Sequence, residues 1–151
     1  MEFTVKSGNP EKQRTACIVV GIYESRRLSP AAEQLDEASG GELSGIVRRG
    51  DMDGKLGQTL LVHGVANLIC DRVLMVGCGR EQDLNDRRYR DIIVQATNTL
   101  SNTGATEVVS YLTELTVRGR DSRWKVRQAV EATGGSQYQF DALKSKKAQP
   151  R

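Results

Sequence analysis

The sequence contains few residues of the kinds that build metal centres or disulfide frameworks. It has one histidine, His63, and three cysteines, which are Cys17, Cys70 and Cys78. No Cys-x-x-Cys pair occurs, and no second ligand stands at a recognisable spacing from His63, so a zinc site is not expected. An odd number of cysteines in unrelated segments also argues against a disulfide framework, and we expect reduced thiols.

Long apolar runs are missing as well. The longest, residues 16–22, is far shorter than the ~20 residues that a membrane-spanning helix needs. The N-terminal segment MEFTVK carries no apolar signal region, so we expect a cytoplasmic protein with no membrane contact. A chain of 151 residues with 38% hydrophobic and 27% charged residues is typical of one globular domain.

The motifs that identify common active sites are not found either. There is no Gly-Lys-Ser/Thr phosphate loop, no Gly-x-Ser-x-Gly elbow and no paired carboxylate motif for a metal. His63 could serve as a base, but without a partner residue we favour a structural role for it. Cys78 lacks a neighbouring histidine that would make its thiol a nucleophile. We therefore expect no catalytic residue, no metal ligand and no cofactor site in this chain.

One stretch has the local pattern of a ligand site. Four apolar residues, Val73–Val76, predict a buried strand, Gly77, Cys78 and Gly79 predict a turn, and an amphipathic helix begins a few residues later. Such turns often hold ligands in sheets that are covered by helices, so these three residues are a candidate ligand turn. Gln82 stands where a dinucleotide fingerprint has its third glycine, and the helix starts late. We therefore favour a tight connection at the centre of the sheet.

Hydrophobic periodicity predicts strands alternating with helices along the chain. Strands are predicted at residues 3–5, 15–23, 59–63, 73–76 and 107–113. Helices are predicted at residues 30–38, 43–49 and 86–103, from 121 to the Gly134-Gly135 pair, and, in preference to a strand, at 138–143. This alternation predicts a three-layer α/β fold with a mostly parallel or mixed sheet of about five to six strands flanked by helices. Residues 1–143 would form the domain, and residues 144–151 would begin a linker to a further domain.

The basic residues are clustered, although total charge is nearly balanced. Net charge is +3, from 22 basic and 19 acidic residues, which favours an ordinary solvated surface for most of the protein. The largest cluster is opposed only by Asp121 and consists of Arg118, Arg120, Arg123, Lys125 and Arg127. A second set consists of Arg48, Arg49 and Lys55, and a smaller cluster of Arg87, Arg88 and Arg90.

Segments along the whole chain resemble the N-terminal domain of bacterial leucyl aminopeptidases. They include ACIVVG, RRLSPAAEQLD, RRGDMDGKLGQTLLVH, RVLMVGCG, LTEL and WKVRQAVE, and the resemblance spans residues 1–151. It implies a macro-domain-like fold for this chain. It also implies a homo-hexameric enzyme whose larger C-terminal domain holds two divalent metals, manganese or zinc, and the aminopeptidase site. The Gly134-Gly135 pair departs from the continuous helix that we expect in relatives.

The resemblance also implies candidate partners. Related bacterial enzymes bind double-stranded DNA in plasmid recombination and transcriptional control. Cations gain affinity for DNA by displacing counterions from phosphates, so the Arg118–Arg127 cluster, and then the Arg48, Arg49 and Lys55 set, are our candidate DNA contacts. Because macro domains bind ADP-ribose, the alternative is a module that binds ADP-ribose or a nucleotide at the Gly77–Gly79 turn. A domain that only packs against the enzyme and shapes access to it is a third interpretation.

Overall fold

The computed structural model describes residues 2–6, 8–132 and 138–140 of the chain. A mixed sheet lies between two layers of helices, as the sequence predicted. The strands are β1 (Glu2–Val5), β2 (Cys17–Tyr23), β3 (Arg27–Leu28), β4 (Thr59–His63), β5 (Arg72–Gly77), β6 (Glu107–Ser110) and β7 (Tyr138–Phe140). The helices are α1 (Pro30–Ala38), α2 (Glu42–Arg48), α3 (Asp86–Ser101) and α4 (Ser122–Ala132).

The strand order is β4-β5-β2-β6-β1-β7, and the short β3 pairs with β2. The pairings among β5, β2, β6, β1 and β7 are parallel, whereas β4 and β3 pair antiparallel with their neighbours. The expectation that the 73–76 strand lies at the centre of the sheet is wrong, because β5 is next to the edge strand β4 and β2 is more central. Both β2 and β5 are buried on both faces, so their apolar patterns could not distinguish the two positions.

The sheet separates two hydrophobic cores. Val19 of β2 and Val76 of β5 face the first core together with the apolar side of α3 and Ala129 of α4. Val20 and Met75 face the second core with α1 and α2. Because successive strand residues point to opposite faces, each buried strand contributes to both cores. Helices α3 and α4 therefore cover one face of the sheet, and α1 and α2 cover the other.

Short polar side chains begin three of the helices near the predicted positions. Ser29 Oγ accepts a hydrogen bond from Ala32 N at 3.3 Å at the start of α1. Asn85 Oδ1 accepts one from Arg88 N at 2.9 Å at the start of α3. Asp121 accepts one from the backbone of the α4 N-terminus in the same way. These caps satisfy amides that have no partner inside the helix, which is why such residues mark helix starts.

The prediction of a helix at residues 138–143 is wrong where the structure describes it. Tyr138–Phe140 is strand β7, which pairs in parallel with β1 and extends the sheet. Three residues carry too little periodicity to distinguish a helix from a strand, so tertiary pairing decides. The Gly134-Gly135 pair and the proposed linker at 144–151 lie outside the described residues. Among the described helices, none is long and apolar enough to cross a membrane.

Candidate nucleic-acid interface and the glycine turn

The backbone amides of the candidate ligand turn are already bonded to the protein itself. Gly77 N–H donates to Gln58 O at 2.7 Å, and Gly79 N–H donates to Gly54 O at 2.8 Å. Cys78 N–H, between them, donates to a carbonyl of β2 at 2.9 Å. A phosphate-binding turn needs amides that point at the ligand with no other acceptor. This turn therefore offers none of its three N–H groups to a phosphate.

The loop at residues 52–58 packs directly against the turn. A Cβ atom at Gly77 would lie 2.0 Å from Lys55 O, and one at Gly54 would lie 2.1 Å from Tyr23 O. Gln58 Oε1 holds the loop in place by accepting hydrogen bonds from three successive amides, residues 53–55. The glycines allow two protein segments to approach closely, so the space that a ligand would need here is filled by the protein.

The three thiols are in environments that suppress their reactivity. Burial raises the pKa of Cys78 and of Cys17 to about 12, and it also raises the pKa of Cys70. The thiolate is the nucleophilic form of cysteine, so these side chains are poor nucleophiles at neutral pH. Within residues 2–6, 8–132 and 138–140, no group of three or more His, Cys, Asp or Glu residues could hold a metal. His63 is exposed at the end of β4.

A cavity of about 300 Å³ lies beside the turn, at the carboxyl end of β2. Its charged lining residues balance one another. The Arg27 guanidinium lies 4.9 Å from the centre of the Tyr23 ring and forms an ion pair with Glu81. Arg80 Nε is 3.5 Å from Asp83 Oδ2. Both arginines thus have acidic partners, and the cavity carries no excess of positive charge for an anion.

Trp124 marks the contact between α3 and α4. The guanidinium carbon of Arg120 lies 4.9 Å from the Trp124 ring centre and that of Arg90 lies 6.0 Å from it. Arg120 also forms a bidentate salt bridge with Asp86, in which Nε lies 3.0 Å from Oδ1 and Nη2 lies 2.5 Å from Oδ2. The Asp86 hydrogen bond raises the pKa of Arg120, and the same bond lowers the pKa of Asp86. Arg120 and Arg90 therefore hold the two helices together.

Lys125 points into the protein rather than towards solvent. It is 8% exposed, and its Nζ donates a hydrogen bond to Leu115 O at 2.8 Å. Burial lowers the pKa of the ammonium group, opposed by the carboxylates of Asp121 and Glu114. We therefore remove Lys125 from the candidate DNA contacts.

Four arginines of the Arg118–Arg127 and Arg87–Arg90 clusters lie on or next to α3 and α4 without an ion pair: Arg87 on α3, Arg118 in the segment before α4, and Arg123 and Arg127 on α4. All are exposed, and none forms an ion pair within the part of the chain that the structure describes, although the charge of Arg123 helps to lower the pKa of the neighbouring Asp121. Arg123 and Arg127 are four residues apart and so share one side of α4. We call this set the α3–α4 arginine surface, and it consists of Arg87, Arg118, Arg123 and Arg127. The sequence had placed Arg87 in a separate cluster, because only the packing of α3 against α4 brings the two helices together.

The second basic set is not near the first. Arg48 and Arg49 end α2, whose buried residues belong to the second core, so they lie on the opposite face of the sheet. Arg49 is paired with Asp51 at 3.7 Å, and Arg48 is exposed. Lys55 lies in the loop that covers the glycine turn. One DNA segment lying on α3 and α4 would not reach the α2 pair.

A family model described as "Cytosol aminopeptidase family, N-terminal domain" matches residues 19–147. The chain belongs to this family. It is 60% identical over 151 residues to a probable cytosol aminopeptidase of Idiomarina loihiensis and, at the same identity and length, to probable cytosol aminopeptidase 2 of Shewanella oneidensis. In both comparisons all of the chain aligns with 30% of the relative, so the chain spans about a third of the length of these proteins.

Solved structures show the same fold at low sequence identity. The macrodomain of Mycobacterium tuberculosis DarG matches with a TM-score of 0.67 at 11% identity, over 91% of this chain and 95% of that one. A mutant of tomato leucine aminopeptidase matches with a TM-score of 0.64 at 17% identity, over 93% of this chain and 31% of that one. Thermosipho africanus DarTG in complex with ADP-ribose matches with a TM-score of 0.64 at 8% identity, over 96% and 42%. The macro-domain-like fold expected from the sequence is confirmed.

Proposed function

We propose that this chain is the non-catalytic N-terminal domain of a cytoplasmic leucyl aminopeptidase, and that its α3–α4 arginine surface binds double-stranded DNA. The peptide-cleaving chemistry, with two divalent metals, manganese or zinc, belongs to a C-terminal domain beyond these residues. The intact enzyme removes N-terminal amino acids from peptides and assembles as a hexamer. The DNA contacts would serve recombination or transcriptional control.

The assignment to an accessory domain is supported by how this chain uses its reactive groups. The amides of the Gly77–Gly79 turn are bonded to the protein, and the thiols are held protonated by burial. Membership of the N-terminal part of the cytosol aminopeptidase family is consistent with chemistry carried by the remaining length of the relatives.

The single observation that supports DNA binding is the unpaired charge of the α3–α4 arginine surface. Arginine binds phosphate well because its planar guanidinium presents several donors at once. Arg120 and Arg90 fix the angle between the helices by packing on Trp124, so the free arginines project from a rigid surface. The packing of the two helices fixes the positions from which these side chains extend, so binding need not also order the helices.

DNA binding is tested by measuring the affinity for a duplex as a function of salt concentration. The slope of log K against log [salt] is negative, and each phosphate contact contributes about 0.9 to its magnitude. In the triple variant Arg118→Gln, Arg123→Gln, Arg127→Gln, that magnitude should therefore decrease by about 2.7. The matched control is Arg48→Gln, Arg49→Gln on the opposite face, which should keep the original slope. An equal loss in the control would place the DNA elsewhere, and an unchanged slope in the triple variant would exclude the α3–α4 arginine surface.

The accessory role is tested with a chromogenic leucine amide. The 151-residue chain with added manganese should release no product above the buffer background. A full-length cytosol aminopeptidase assayed under the same conditions provides the positive control. Turnover by the chain alone, proportional to its concentration, would contradict a non-catalytic domain.

A further inference from the structure

Strand β4 forms an edge of the sheet that the described residues leave open. It pairs antiparallel with β5 on one side, with Leu61 opposite Leu74, and it stands last in the strand order. An open edge presents unpaired N–H and C=O groups, which natural proteins usually protect with charged residues or proline.

This edge has no such protection. No Asp, Glu, Lys or Arg occurs from Leu56 to Cys70, in a chain that is 27% charged, and no proline occurs there either. Leu56 is 38% exposed and Ile69 is 44% exposed, and they flank β4 on its two sides in the sequence. Apolar surface without charge is characteristic of the centre of a protein–protein interface.

The hydrogen bonds at the ends of β4 identify which backbone groups point outward. Gly77 N–H donates to Gln58 O, and Gly64 N–H donates to Asp71 O, so residues 58 and 64 face β5. In an antiparallel pair, hydrogen-bonded and non-bonded positions alternate along the strand. The odd positions therefore turn their N–H and C=O groups away from the sheet, and these are Thr59, Leu61 and His63.

The position of the last described strand favours a second copy of the chain as the occupant of this edge. Strand β7, the last described element, lies at the opposite edge, five strand spacings from β4, or about 24 Å. An uncharged strand also meets no repulsion from an identical strand. Three outward positions placed symmetrically about Leu61 match an antiparallel pair with two-fold symmetry, which is the common arrangement in dimers.

We propose that β4 pairs antiparallel with β4 of a second copy of this chain, so that two sheets join into one. The two-fold axis passes between the two Leu61 residues, and Thr59 of each copy lies opposite His63 of the other. Six backbone hydrogen bonds form from the outward groups. In this register the segment before β4 of one copy, which contains the exposed Leu56, lies beside the segment that follows β4 of the other. This pairing does not depend on the proposed DNA binding.

The pairing is tested by sedimentation equilibrium of the chain and two charge variants. Wild type should form a reversible dimer. The variant Thr59→Glu, His63→Glu places like charges opposite each other twice and should weaken dimerisation about tenfold. The variant Thr59→Lys, His63→Glu alters the same positions but places opposite charges together, so it should dimerise like wild type. Thermal unfolding of both variants checks that they are folded.

Amide hydrogen exchange on wild type gives a second measurement that needs no substitution. The amides of Thr59, Leu61 and His63 should exchange more slowly as protein concentration rises, while that of Val94, exposed on α3, serves as an amide outside the interface whose rate should not change. A chain that is monomeric at every concentration would overturn the proposal. So would a dimer that both charge variants weaken equally, or one whose β4 amides exchange at the monomer rate.

Discussion

The carbonyl oxygen of Lys55 lies 2.0 Å from the point that a Cβ atom would occupy at Gly77. This close approach brings the 52–58 loop onto the end of β5, where Gly77 N–H also donates to Gln58 O. The same contact explains why a turn with the sequence of a ligand site is closed. Glycine is needed at this position so that the 52–58 loop can cover the carboxyl end of β5.

The substitution Gly77→Ala should destabilise the fold by about 1–3 kcal/mol, because the loop must move to admit a methyl group against backbone atoms. The matched control is Gly104→Ala, where a Cβ atom would meet nothing within 4 Å. That change should be neutral or stabilise by about 0.4–1 kcal/mol. Urea denaturation of the two variants provides the comparison. Equal stability of both would show that the loop is not held against the turn.

The variant Lys125→Met should be less stable than wild type but should bind DNA with unchanged affinity. Removing Nζ leaves Leu115 O without its 2.8 Å donor, which costs about 1–3 kcal/mol for a buried acceptor. Arg127→Met, at an exposed position on the same helix, should change stability by less than about 0.5 kcal/mol. In the DNA assay the order should reverse, with Arg127→Met weakening binding and Lys125→Met not. A greater loss of DNA affinity in folded Lys125→Met would contradict the inward orientation.

Glu114 should make the free energy of unfolding decrease as pH rises, which is the opposite of what a carboxylate with a lowered pKa does. Its carboxylate accepts a hydrogen bond from Ala31 N at 2.8 Å at the start of α1. Burial raises its pKa above the ordinary 4.5, although the bonds from Ala31 and Ser29 and the charge of Lys125 oppose the shift and Glu33 adds to it. The folded state therefore binds the proton more tightly than the unfolded state. Linkage then requires that stability falls as pH rises from 4.5 through the folded pKa.

The isosteric variant Glu114→Gln isolates this effect. Its amide oxygen can still accept from Ala31 N, but it does not titrate. The difference in unfolding free energy, wild type minus variant, should decrease as pH rises from below 4.5 towards neutral. Chemical denaturation at a series of pH values measures it, and the other carboxylates cancel in the difference. A constant or increasing difference would contradict a raised pKa at Glu114.

Local sequence patterns predicted most of the helices and strands, but not which strands lie next to each other in the sheet. The apolar run of β5 and the starts of α1 and α3 depend on residues close in sequence, and these predictions are confirmed. The position of β5 near the edge depends on strand order, to which a segment buried on both faces gives no clue.

For the candidate sites too, the sequence shows the residues but not the tertiary contacts that they make. The charge of Lys125 is visible in the sequence, but its bond to Leu115 depends on how α4 packs against the preceding turn. Likewise, the glycines at 77 and 79 predict a sharp turn, whereas the acceptors for their amides come from residues 58 and 54. The Trp124 contact that joins the α3 and α4 arginines is also tertiary.

The closed turn leads to a prediction about ADP-ribose, which Thermosipho africanus DarTG, a structural neighbour, holds in a solved complex. Calorimetric titration of this chain with ADP-ribose should give no saturable heat, because the amides of residues 77–79 already have acceptors. The DarTG protein titrated in the same buffer provides the positive control. A saturable heat would support the alternative function, which is binding of ADP-ribose or a nucleotide, and a variant could then locate the site. Loss of that heat in Arg27→Ala would place the ligand in the cavity beside Tyr23, whereas its persistence would point to rearrangement of the 52–58 loop.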